Sequence, residues 1–510
     1  MLATLNTLVL TGIEARPVKV EVDIQNGLPT LDLVGLASQA TREARERVRS
    51  AIKNSGFDFP NRKIIVNLAP ADIKKEGSHF DLAIALGILI ASGQIEGPGE
   101  KNRYFAGELS LDGSLRGVPG ILPMALELMK TDDDKCFVVP EANRQESGLV
   151  SEVHSLTANN LQEVCEYLRG NSALESINPT AYAGLTSSDT IPDFADVQGQ
   201  EMAKRALLVT AAGLHNLLLI GPPGGGKTML ARRVPGIMPE MSREEVLETT
   251  RIYSVAGLLN PDYPLVDVRP FRAPHKNASS ASVIGGGKIP RPGEISLAQN
   301  GVLFLDEFPE FNRDLLEALR QPLEDKIVTI ARAHATHTYP ANFSLIASMN
   351  PCVCGFYGSD VECTCTPLQI QKYLSRISGP LLDRMDLHVE VPRVNIEQLR
   401  DRSNGESSAA MREKVTRARE IQQNRFARYK ISLNSQMRPA DVKKFCRLDE
   451  ESERLLKNVF DRLKMSARAH DRILKVARTI ADLEPSENIK MKHLAEALQY
   501  RSLDRKYWKS

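Results

Sequence analysis

Residues 221–228 read GPPGGGKT, and residues 302–307 read VLFLDE. The first stretch fits the phosphate-loop pattern G-x-x-x-x-G-K-[ST], and the second is an apolar strand that ends in two carboxylates. An apolar run at 216–220 precedes the loop and a helix-compatible run at 229–233 follows it, as a buried parallel strand and its crossover helix require. We therefore predict a doubly wound α/β core, and a glycine-rich surface turn is the weaker interpretation.

The two motifs supply complementary groups for a nucleoside triphosphate and Mg²⁺. Because glycines lack a Cβ, backbone N–H groups of the loop can point at phosphate oxygens, and Lys227 reaches the β and γ phosphates. The hydroxyl of Thr228 ligates Mg²⁺, Asp306 holds that ion through water, and Glu307 activates the attacking water. The predicted nucleotide site comprises Gly221, Pro222, Pro223, Gly224, Gly225, Gly226, Lys227, Thr228 and Asp306.

Length and composition restrict the class of protein. The chain has 510 residues, 42% of them hydrophobic, which predicts a globular protein of about two to four domains. With 65 basic and 64 acidic residues the net charge is +1, so nucleic-acid binding would need a local basic surface. No apolar run is long enough for a membrane span and no basic n-region opens the sequence, which predicts a cytoplasmic protein. Seven cysteines in such a protein do not indicate a disulfide framework.

The pattern along the chain predicts four segments. Residues 1–170 alternate strand-like and helical runs, with a helix over 38–56 capped by Ser38, and form a mixed α/β domain. Residues 171–193 are rich in small and turn-forming residues and are interpreted as a linker. Residues 194–395 form the phosphate-loop core, and 396–510 carry a basic helix followed by a helical lid without strand signals.

Two residues near strand ends are candidates for contact with the γ-phosphate. Asn350 follows the apolar run 343–349, where an amide orients the attacking water, although asparagine before proline is also a common turn former. Arg384 precedes another strand-like run, and an arginine from a neighbouring subunit stabilises charge on the transferred phosphoryl group. The alternative for Arg384 is a surface pair with Asp383 or Asp386.

A third candidate, Arg468, lies in the first turn of a helix predicted over 466–483. The helix dipole does not favour a cation there, so a phosphate-facing role is one interpretation and an exposed arginine is the other. The apolar face of this helix is predicted to comprise Ile473, Val476, Ala477 and Ile480.

Four cysteines, Cys352, Cys354, Cys363 and Cys365, form a C-x-C-x8-C-x-C pattern within residues 352–365. Thiolates from two arms of a hairpin satisfy tetrahedral Zn²⁺, so structural zinc is the first interpretation and reduced thiols without metal are the second. Because the pattern follows Asn350 closely, the metal would brace that loop rather than perform chemistry.

Two segments are candidates for contact with a polyanion. Residues 282–294 contain a glycine triplet and Lys288, but the prolines that follow exclude a helix, which favours a protruding hairpin that carries Lys288 and Arg291. Residues 412–430 form a helical stretch with seven Lys or Arg and two Glu. For each segment the alternatives are a nucleic-acid path and an ordinary solvated surface.

Four stretches, in this order, resemble the magnesium-chelatase-like AAA+ ATPases of the YifB/ComM family. They are residues 31–57 (LDLVGLASQATREARERVRSAIKNSGF), 66–89 (VNLAPADIKKEGSHFDLAIALGIL), 271–287 (FRAPHKNASSASVIGGG) and 292–307 (PGEISLAQNGVLFLDE). The resemblance covers nearly the whole chain and implies ATP, Mg²⁺ and a hexameric ring of identical chains. The residues to which it gives joint roles in hydrolysis are Lys227, Asp306, Glu307, Asn350, Arg384 and Arg468. It also implies that residues 269–294 are the insertion in helix 2 that is typical of this clade.

The same resemblance gives residues 1–170 a Lon-protease-like fold, related to a domain of ribosomal protein S5. Ser78 occupies the position of that family's nucleophile, but Leu122 stands where its catalytic lysine is expected. Because a serine without an amine base is not activated, we expect no peptidase activity and a helical-turn or capping role for Ser78.

These features predict an ATPase that couples hydrolysis to movement on DNA, as a helicase or branch-migration motor in recombination or DNA uptake. The DNA part follows from the resemblance. Two alternatives stay open: a magnesium-chelatase-type motor that drives metal insertion into a tetrapyrrole or remodels a protein, and a Lon-like ATP-dependent protease. No membrane partner is expected.

Overall fold

A mixed sheet organises the N-terminal part of the chain. The computed structural model describes residues 2–35, 39–97, 102–130, 135–179, 191–287, 290–332, 335–393, 405–463 and 466–508. The first ten strands are β1 (Leu2–Thr11), β2 (Glu14–Gln25), β3 (Thr30–Val34), β4 (Lys63–Ala69), β5 (Arg103–Phe105), β6 (Glu108–Leu109), β7 (Leu115–Arg116), β8 (Cys136–Pro140), β9 (His154–Ala158) and β10 (Glu175–Ser176). Eight of them form one sheet in the order β10-β9-β8-β5-β1-β2-β4-β3, while β6 pairs with β7.

Helices pack on this sheet. They are α1 (Gln39–Asn54), α2 (Asp81–Ala91), α3 (Ile121–Met129), α4 (Arg144–Ser147) and α5 (Leu161–Leu168). Helix α2 is buried along almost its whole length, because strands β1 and β2 contact it on one side and α1 contacts it on another. Its uninterrupted apolar sequence, in place of an amphipathic one, reflects this position.

The central part of the chain contains a five-stranded parallel sheet. Its strands and the adjoining hairpins are β11 (Leu217–Ile220), β12 (Phe271–Arg272), β13 (Gly285–Gly286), β14 (Arg291–Pro292), β15 (Val302–Leu305), β16 (Ile327–Arg332), β17 (Ala335–Pro340), β18 (Ser344–Met349) and β19 (Leu387–Glu390). The sheet order is β12-β15-β18-β11-β19, with every neighbouring pair parallel. Side chains of β11, β15 and β18 are all buried, as in a sheet covered on both faces. The predicted α/β core is confirmed.

Helices flank this sheet and dominate the C-terminal part of the chain. The first group is α6 (Glu201–Gly213), α7 (Lys227–Arg232), α8 (Val234–Ile237), α9 (Arg243–Ala256), α10 (Ser280–Ile284), α11 (Glu294–Leu297), α12 (Arg313–Ala318), α13 (Arg320–Asp325), α14 (Pro367–Leu374) and α15 (Gly379–Leu382). The second group is α16 (Ser408–Phe426), α17 (Pro439–Phe445), α18 (Glu450–Leu463), α19 (Ala467–Leu483), α20 (Met491–Gln499) and α21 (Leu503–Tyr507). The predicted apolar face of α19 is buried, which confirms its helical spacing.

Two segments differ from the sequence-based expectation. The stretch predicted as a linker begins with β10, which pairs with β9, so the N-terminal sheet continues beyond residue 170. The predicted insertion at 269–294 begins with β12, which belongs to the core sheet beside β15. An insertion in this region would therefore start after Arg272. Ser38, Lys288 and residues 180–190 lie outside the described residues.

A buried polar contact joins the N-terminal part to the core. Glu146 Oε1 accepts a hydrogen bond from the hydroxyl of Ser254 on α9 at 2.6 Å and one from the backbone N–H of Leu122 at 2.9 Å. Burial raises the pKa of Glu146, while these hydrogen bonds act in the opposite direction. Val246 and Leu265 complete the contact by packing into the apolar cluster around α3.

The C-terminal helices are tied to the core sheet by the buried carboxylate of Asp386. Its Oδ1 accepts a hydrogen bond from Arg472 Nη1 of α19 at 2.7 Å, and its Oδ2 accepts one from the backbone N–H of Asn216, just before β11, at 2.9 Å. Burial alone would raise the pKa of Asp386, but the charge of Arg472 and the nearby ring of His215, whose Nδ1 lies 3.6 Å from Oδ2, hold it well below the ordinary value. Asp386 is therefore ionised when folded.

Replacing Asp386 with alanine is expected to lower the free energy of unfolding by about 3 kcal/mol at neutral pH, because Arg472 loses its charged partner. Since the folded-state pKa is depressed, this stabilisation is present above about pH 4 and is lost as the pH falls further. Urea unfolding midpoints at pH 7 and pH 3 measure both effects. Asp383→Ala, at a half-buried carboxylate nearby, is the control. Equal losses in the two variants would contradict the special role of Asp386.

Candidate active site

The loop after β11 depends on glycine at two positions. A Cβ on Gly221 would lie 2.1 Å from the carbonyl oxygen of Val391, so no larger residue fits without moving the backbone. Gly226 has φ +85°, a left-handed conformation that favours glycine, and α7 begins directly after it. The chain therefore turns tightly from strand to helix and places Lys227 and Thr228 in the first helical turn.

The amine of Lys227 is buried and contacts oxygen atoms. It donates to the carbonyl oxygens of Gly221 at 2.7 Å and Pro222 at 3.0 Å, and to Asn350 Oδ1 at 3.2 Å. Burial lowers the pKa of Lys227, although the nearby charge of Asp306 opposes this effect. The amine thus lies within the loop, next to the strand end that carries Asn350, where phosphate oxygens can replace these acceptors.

Asp306 follows β15 and lies beside the loop. The hydroxyl of Thr228 donates to Asp306 Oδ2 at 2.7 Å, and Ser348 in β18 donates to the other carboxylate oxygen. Hydroxyl and carboxylate oxygens are the ligands that Mg²⁺ prefers, so this pair fits the ion that the motifs imply. The sequence did not indicate Ser348, because a serine within an apolar strand has no distinct signal.

Glu307 has an unusual backbone conformation and a cationic partner. Its φ is +53°, which is uncommon for a residue with a side chain and marks a sharp turn directly after the strand. Its Oε2 lies 2.5 Å from the amine of Lys276, and this hydrogen bond raises the pKa of Lys276. Lys276 belongs to the segment between β12 and α10, and no spacing rule in the sequence connects it with Glu307.

Five of the predicted residues therefore meet at the carboxyl edge of the parallel sheet. They are Lys227, Thr228, Asp306, Glu307 and Asn350. The register explains this, because Ile220 in β11 lies opposite Met349, and Leu305 in β15 lies opposite Ala347. The residues that follow these strands are consequently brought to the same place. This arrangement can bind a triphosphate and its metal ion.

Arg384 lies at the opposite edge of the sheet. Its carbonyl oxygen accepts a hydrogen bond at 3.0 Å from the side chain of Asn216, which precedes β11, whereas the phosphate loop follows the other end of that four-residue strand. The strand rises about 13 Å. The guanidinium pairs with the exposed Glu324 and donates to the carbonyl oxygen of Pro380 at 2.8 Å. The alternative of a surface ion pair is therefore present, but its partner is Glu324 in place of Asp383 or Asp386.

Arg468 is exposed in the first turn of α19. Arg472, one turn further along the same helix, pairs with Asp386 beside Asn216. Arg468 is therefore also near the amino edge of the sheet, and no contact within the described residues joins it to the phosphate loop of its own chain. The sequence contained no signal for Arg472, because its contact with Asp386 depends on how α19 packs against the core.

The four cysteines lie close enough to bind one ion. Their Sγ atoms all lie within 4.8 Å of one another, with distances of 3.3 Å between Cys352 and Cys354, 3.7 Å between Cys352 and Cys363, and 3.6 Å between Cys354 and Cys363. Zinc bound to four thiolates at about 2.3 Å gives sulfur–sulfur distances of about 3.8 Å. The donor set and its size therefore fit tetrahedral Zn²⁺.

The cysteine segment packs against the nucleotide loop. Gly355, between the two cysteine pairs, has φ +90°, and a Cβ there would lie 2.6 Å from Pro223 Cδ. Residues 351–365 contain turns and bends without paired strands, so the predicted hairpin is wrong in its backbone form. Thr366 after them caps α14 through a capping box with Gln369.

The basic stretch 412–430 divides its cations between internal contacts and solvent, since Lys414, Arg417, Arg428 and Lys430 are exposed. Arg419 is buried and donates to the carbonyl oxygen of Ala211 at 2.7 Å, and Arg425 donates to Asp482 Oδ2 at 2.8 Å. The interpretation as an ordinary solvated surface is therefore wrong for the buried Arg419, while for the exposed cations both alternatives stay predictions. In the predicted hairpin at 282–294, β13 pairs with β14, and Arg291 is exposed.

Ser78 has a carboxylate as its side-chain partner. Its hydroxyl donates to Glu108. The N-cap residue of α2 is Phe80, and no side chain caps this helix by a hydrogen bond, so the expected capping role of Ser78 is wrong. Its carbonyl oxygen does accept from the backbone N–H of Asp81, which gives Ser78 a place in the turn before α2. Leu122 is buried in α3.

Three family profiles match consecutive parts of the chain. They are "Subunit ChlI of Mg-chelatase" over residues 20–143, "Magnesium chelatase, subunit ChlI" over 193–399, and "Magnesium chelatase, subunit ChlI C-terminal" over 405–501. The second profile contains every residue of the site at the carboxyl edge. ATP and Mg²⁺ are the substrate and cofactor that this AAA+ family implies, and the oxygen donors of Thr228 and Asp306 fit the metal.

Two similar proteins match this chain over nearly its whole length, and a third matches part of it. Protein YifB of Salmonella typhimurium is 47% identical over 507 residues, 99% of this chain and 98% of that protein. The competence protein ComM of Haemophilus influenzae is 46% identical over 500 residues, 97% and 96% of the two chains. The magnesium-chelatase 38 kDa subunit of Rhodobacter capsulatus is 27% identical over 35% of this chain and 55% of its own. The chain therefore belongs to the YifB/ComM family of magnesium-chelatase-like AAA+ ATPases.

Proposed function

We propose that this protein hydrolyses ATP and uses the energy to move DNA. The observation that carries the hydrolysis is the convergence of Lys227, Thr228, Asp306, Glu307 and Asn350 at one edge of the parallel sheet. A lysine amine, two oxygen donors for Mg²⁺, a general base and an amide are the groups that phosphoryl transfer to water requires. Their contacts with one another support a single joint site.

In this proposal each residue has a distinct role. Mg²⁺, held by Thr228 and Asp306, would supply neutralisation of phosphate charge. Lys227 binds the β and γ phosphates, and Asn350 orients the attacking water. Glu307 takes the proton from that water after its carboxylate separates from Lys276 and turns towards the water.

The positions of Arg384 and Arg468 support a site shared between chains. Both lie towards the amino edge of the sheet, remote from the phosphate loop of their own chain, so in this proposal they serve a neighbour's nucleotide. A ring of identical chains, as the family resemblance implies for a hexamer, provides such contacts repeatedly. The helical lid that follows the basic stretch 412–430 would then carry Arg468 to the interface.

Movement on DNA is the finer part of the proposal. It rests on the 46% identity with a competence protein over nearly the whole chain. We infer a helicase or branch-migration motor in recombination or DNA uptake, with a cytoplasmic location. In the described residues no helix has the length and apolar character for crossing a bilayer.

A second candidate function is a chelatase-type motor. The 27% identity with a magnesium-chelatase subunit favours it, although that similarity covers only 35% of this chain. Residues 1–170 would adopt the Lon-like domain in either case. A Lon-like protease is the least supported reading, because the hydroxyl of Ser78 contacts Glu108 and Leu122 occupies the position of the lysine.

We also propose that Cys352, Cys354, Cys363 and Cys365 bind structural Zn²⁺. Their sulfur–sulfur distances support this. The metal would hold the segment that follows Asn350 against Pro223 in the phosphate loop. With all four coordination positions taken by thiolates, the zinc would stabilise the site without joining the reaction.

The motor proposal predicts that single-stranded, duplex or forked DNA raises the ATPase rate of the purified protein. Glu307→Gln should lower kcat by about 10²-fold or more, since the general base is lost, while ATP still binds. Glu310→Gln, at an exposed glutamate nearby that pairs with Arg376, is the matched control. Indifference to all three DNAs, with stimulation by a protein partner, would favour remodelling or chelation.

The shared site predicts complementation between two inactive variants. Arg384→Ala and Lys227→Ala should each hydrolyse ATP poorly alone, and mixing them should restore part of the rate. An intact Lys227 site on one chain then meets an intact Arg384 on the next. A mixture of Lys227→Ala with Glu307→Gln is the control, because both changes damage the same site. No recovery in the first mixture would exclude Arg384 as an arginine finger in trans.

The zinc proposal predicts about one metal ion per chain by elemental analysis of the purified protein. The double variant Cys354→Ser/Cys363→Ser should lose the metal and reduce ATPase activity, because the loop next to Asn350 is no longer braced. Cys136→Ser, at a cysteine outside the cluster, should retain both. A metal-free preparation with full activity would refute the assignment.

A further inference from the structure

A concave pocket lies on the N-terminal part of the chain, away from the nucleotide site. It has a volume of about 430 Å³ and is bounded by β3, by one face of α1 and by residues 59–62. This volume falls within the usual range for ligand pockets. The charged side chains in its lining are Arg45, Arg49, Lys53, Arg62, Asp32 and Glu46, four cations against two carboxylates.

The sequence of α1 creates this basic face. Arg45, Arg49 and Lys53 are spaced four residues apart, so they share one side of the helix, and all three are exposed. Ala44, Val48, Ala51 and Ile52 are buried in the domain core on the other side. The apolar residues hold α1 on the sheet, and the basic residues consequently face the pocket.

The cations that line the pocket have few partners within the fold. Among the described residues Arg45, Lys53 and Arg62 form no ion pair, and the guanidinium of Arg49 lies 5.5 Å from the ring centre of Phe59. On the same helix Arg47 points elsewhere and pairs with the buried carboxylate of Asp81 at 2.8 Å. The pocket therefore presents positive charge that internal contacts do not neutralise.

We propose that this pocket binds the phosphodiester backbone of single-stranded nucleic acid. Unpaired cations attract phosphates, and a guanidinium next to a half-buried aromatic ring gives a base a surface for stacking. A concave site of this size can hold one nucleotide of a single strand. A duplex has a broad convex surface, so it would contact only the residues at the rim of the pocket. The net excess of two positive charges disfavours neutral ligands as the principal occupant.

This inference rests on the proposed DNA function and deepens it. It places a strand contact outside the ATPase core, on residues that no ATP-site contact involves. A strand held there would remain attached while the core changes nucleotide state. The stretch 412–430 is a poorer candidate. Arg419 and Arg425 are committed to internal partners, and the exposed Lys414 and Arg417 pair with Glu406 and Glu413.

The test is fluorescence anisotropy of the full-length protein with a labelled single-stranded thymidine oligonucleotide across a salt series. Arg45→Glu/Lys53→Glu is expected to weaken binding by about tenfold or more at low salt. It should also reduce the slope of log Kd against log salt by about 1.4, because each lost phosphate contact removes about 0.7. The milder Arg45→Gln/Lys53→Gln should weaken binding less but reduce the slope by about the same amount, because it removes the same two phosphate contacts without adding negative charge.

Arg16→Glu/Arg116→Glu, at two exposed arginines outside the pocket, is the control with the same change of charge. ATPase activity without DNA should stay at the parental rate in all of these variants. Unchanged affinity and salt slope in the pocket variants would overturn the inference while leaving DNA-stimulated ATPase activity intact. Loss of duplex binding alone, or equal competition by polyglutamate, would also overturn it. Pocket-dependent strand binding without DNA-stimulated ATPase activity would instead contradict the motor.

Discussion

Parallel pairing of β15, β18 and β11 is the constraint on which the rest of the molecule depends. The register sets Leu305 opposite Ala347 and Ile220 opposite Met349, so the polar residues after these strands meet at one edge. Lys227 then reaches Asn350, and Thr228 reaches Asp306. A slip of one residue would turn these side chains towards the opposite face of the sheet.

The carboxyl and amino edges of this sheet carry different sets of residues. The carboxyl edge carries the groups proposed to bind and cleave ATP, while the amino edge carries the proposed interface arginine Arg384 and the anchor of the C-terminal helices, Asp386. Because α19 is tied to Asp386 through Arg472, movement of these helices would alter the surface that the proposed ring offers to a neighbouring chain. At the carboxyl edge the pair of Lys276 and Glu307 connects the inserted segment with the proposed general base.

Local signals allowed much of this to be predicted from sequence. Glycine-rich loops, apolar strands and helical spacing gave β11, β15, β18 and α19, and with them the cluster around Lys227. Contacts between elements that are distant in sequence had no such signal. Lys276 meets Glu307 across 31 residues, and Arg472 meets Asp386 across 86. The basic stretch 412–430 shows the same limit, because composition alone does not reveal that Arg419 faces the core.

Nucleotide binding by the purified protein tests the central claim most directly. Isothermal titration with ATP should show about one site per chain, with a Kd on the order of 1 µM to 1 mM when Mg²⁺ is present. Removal of Mg²⁺ should weaken this binding, since Thr228 and Asp306 then have no ion to share with the phosphates. An absence of any ATP binding with Mg²⁺ present would contradict the account of the phosphate loop and every role assigned around it.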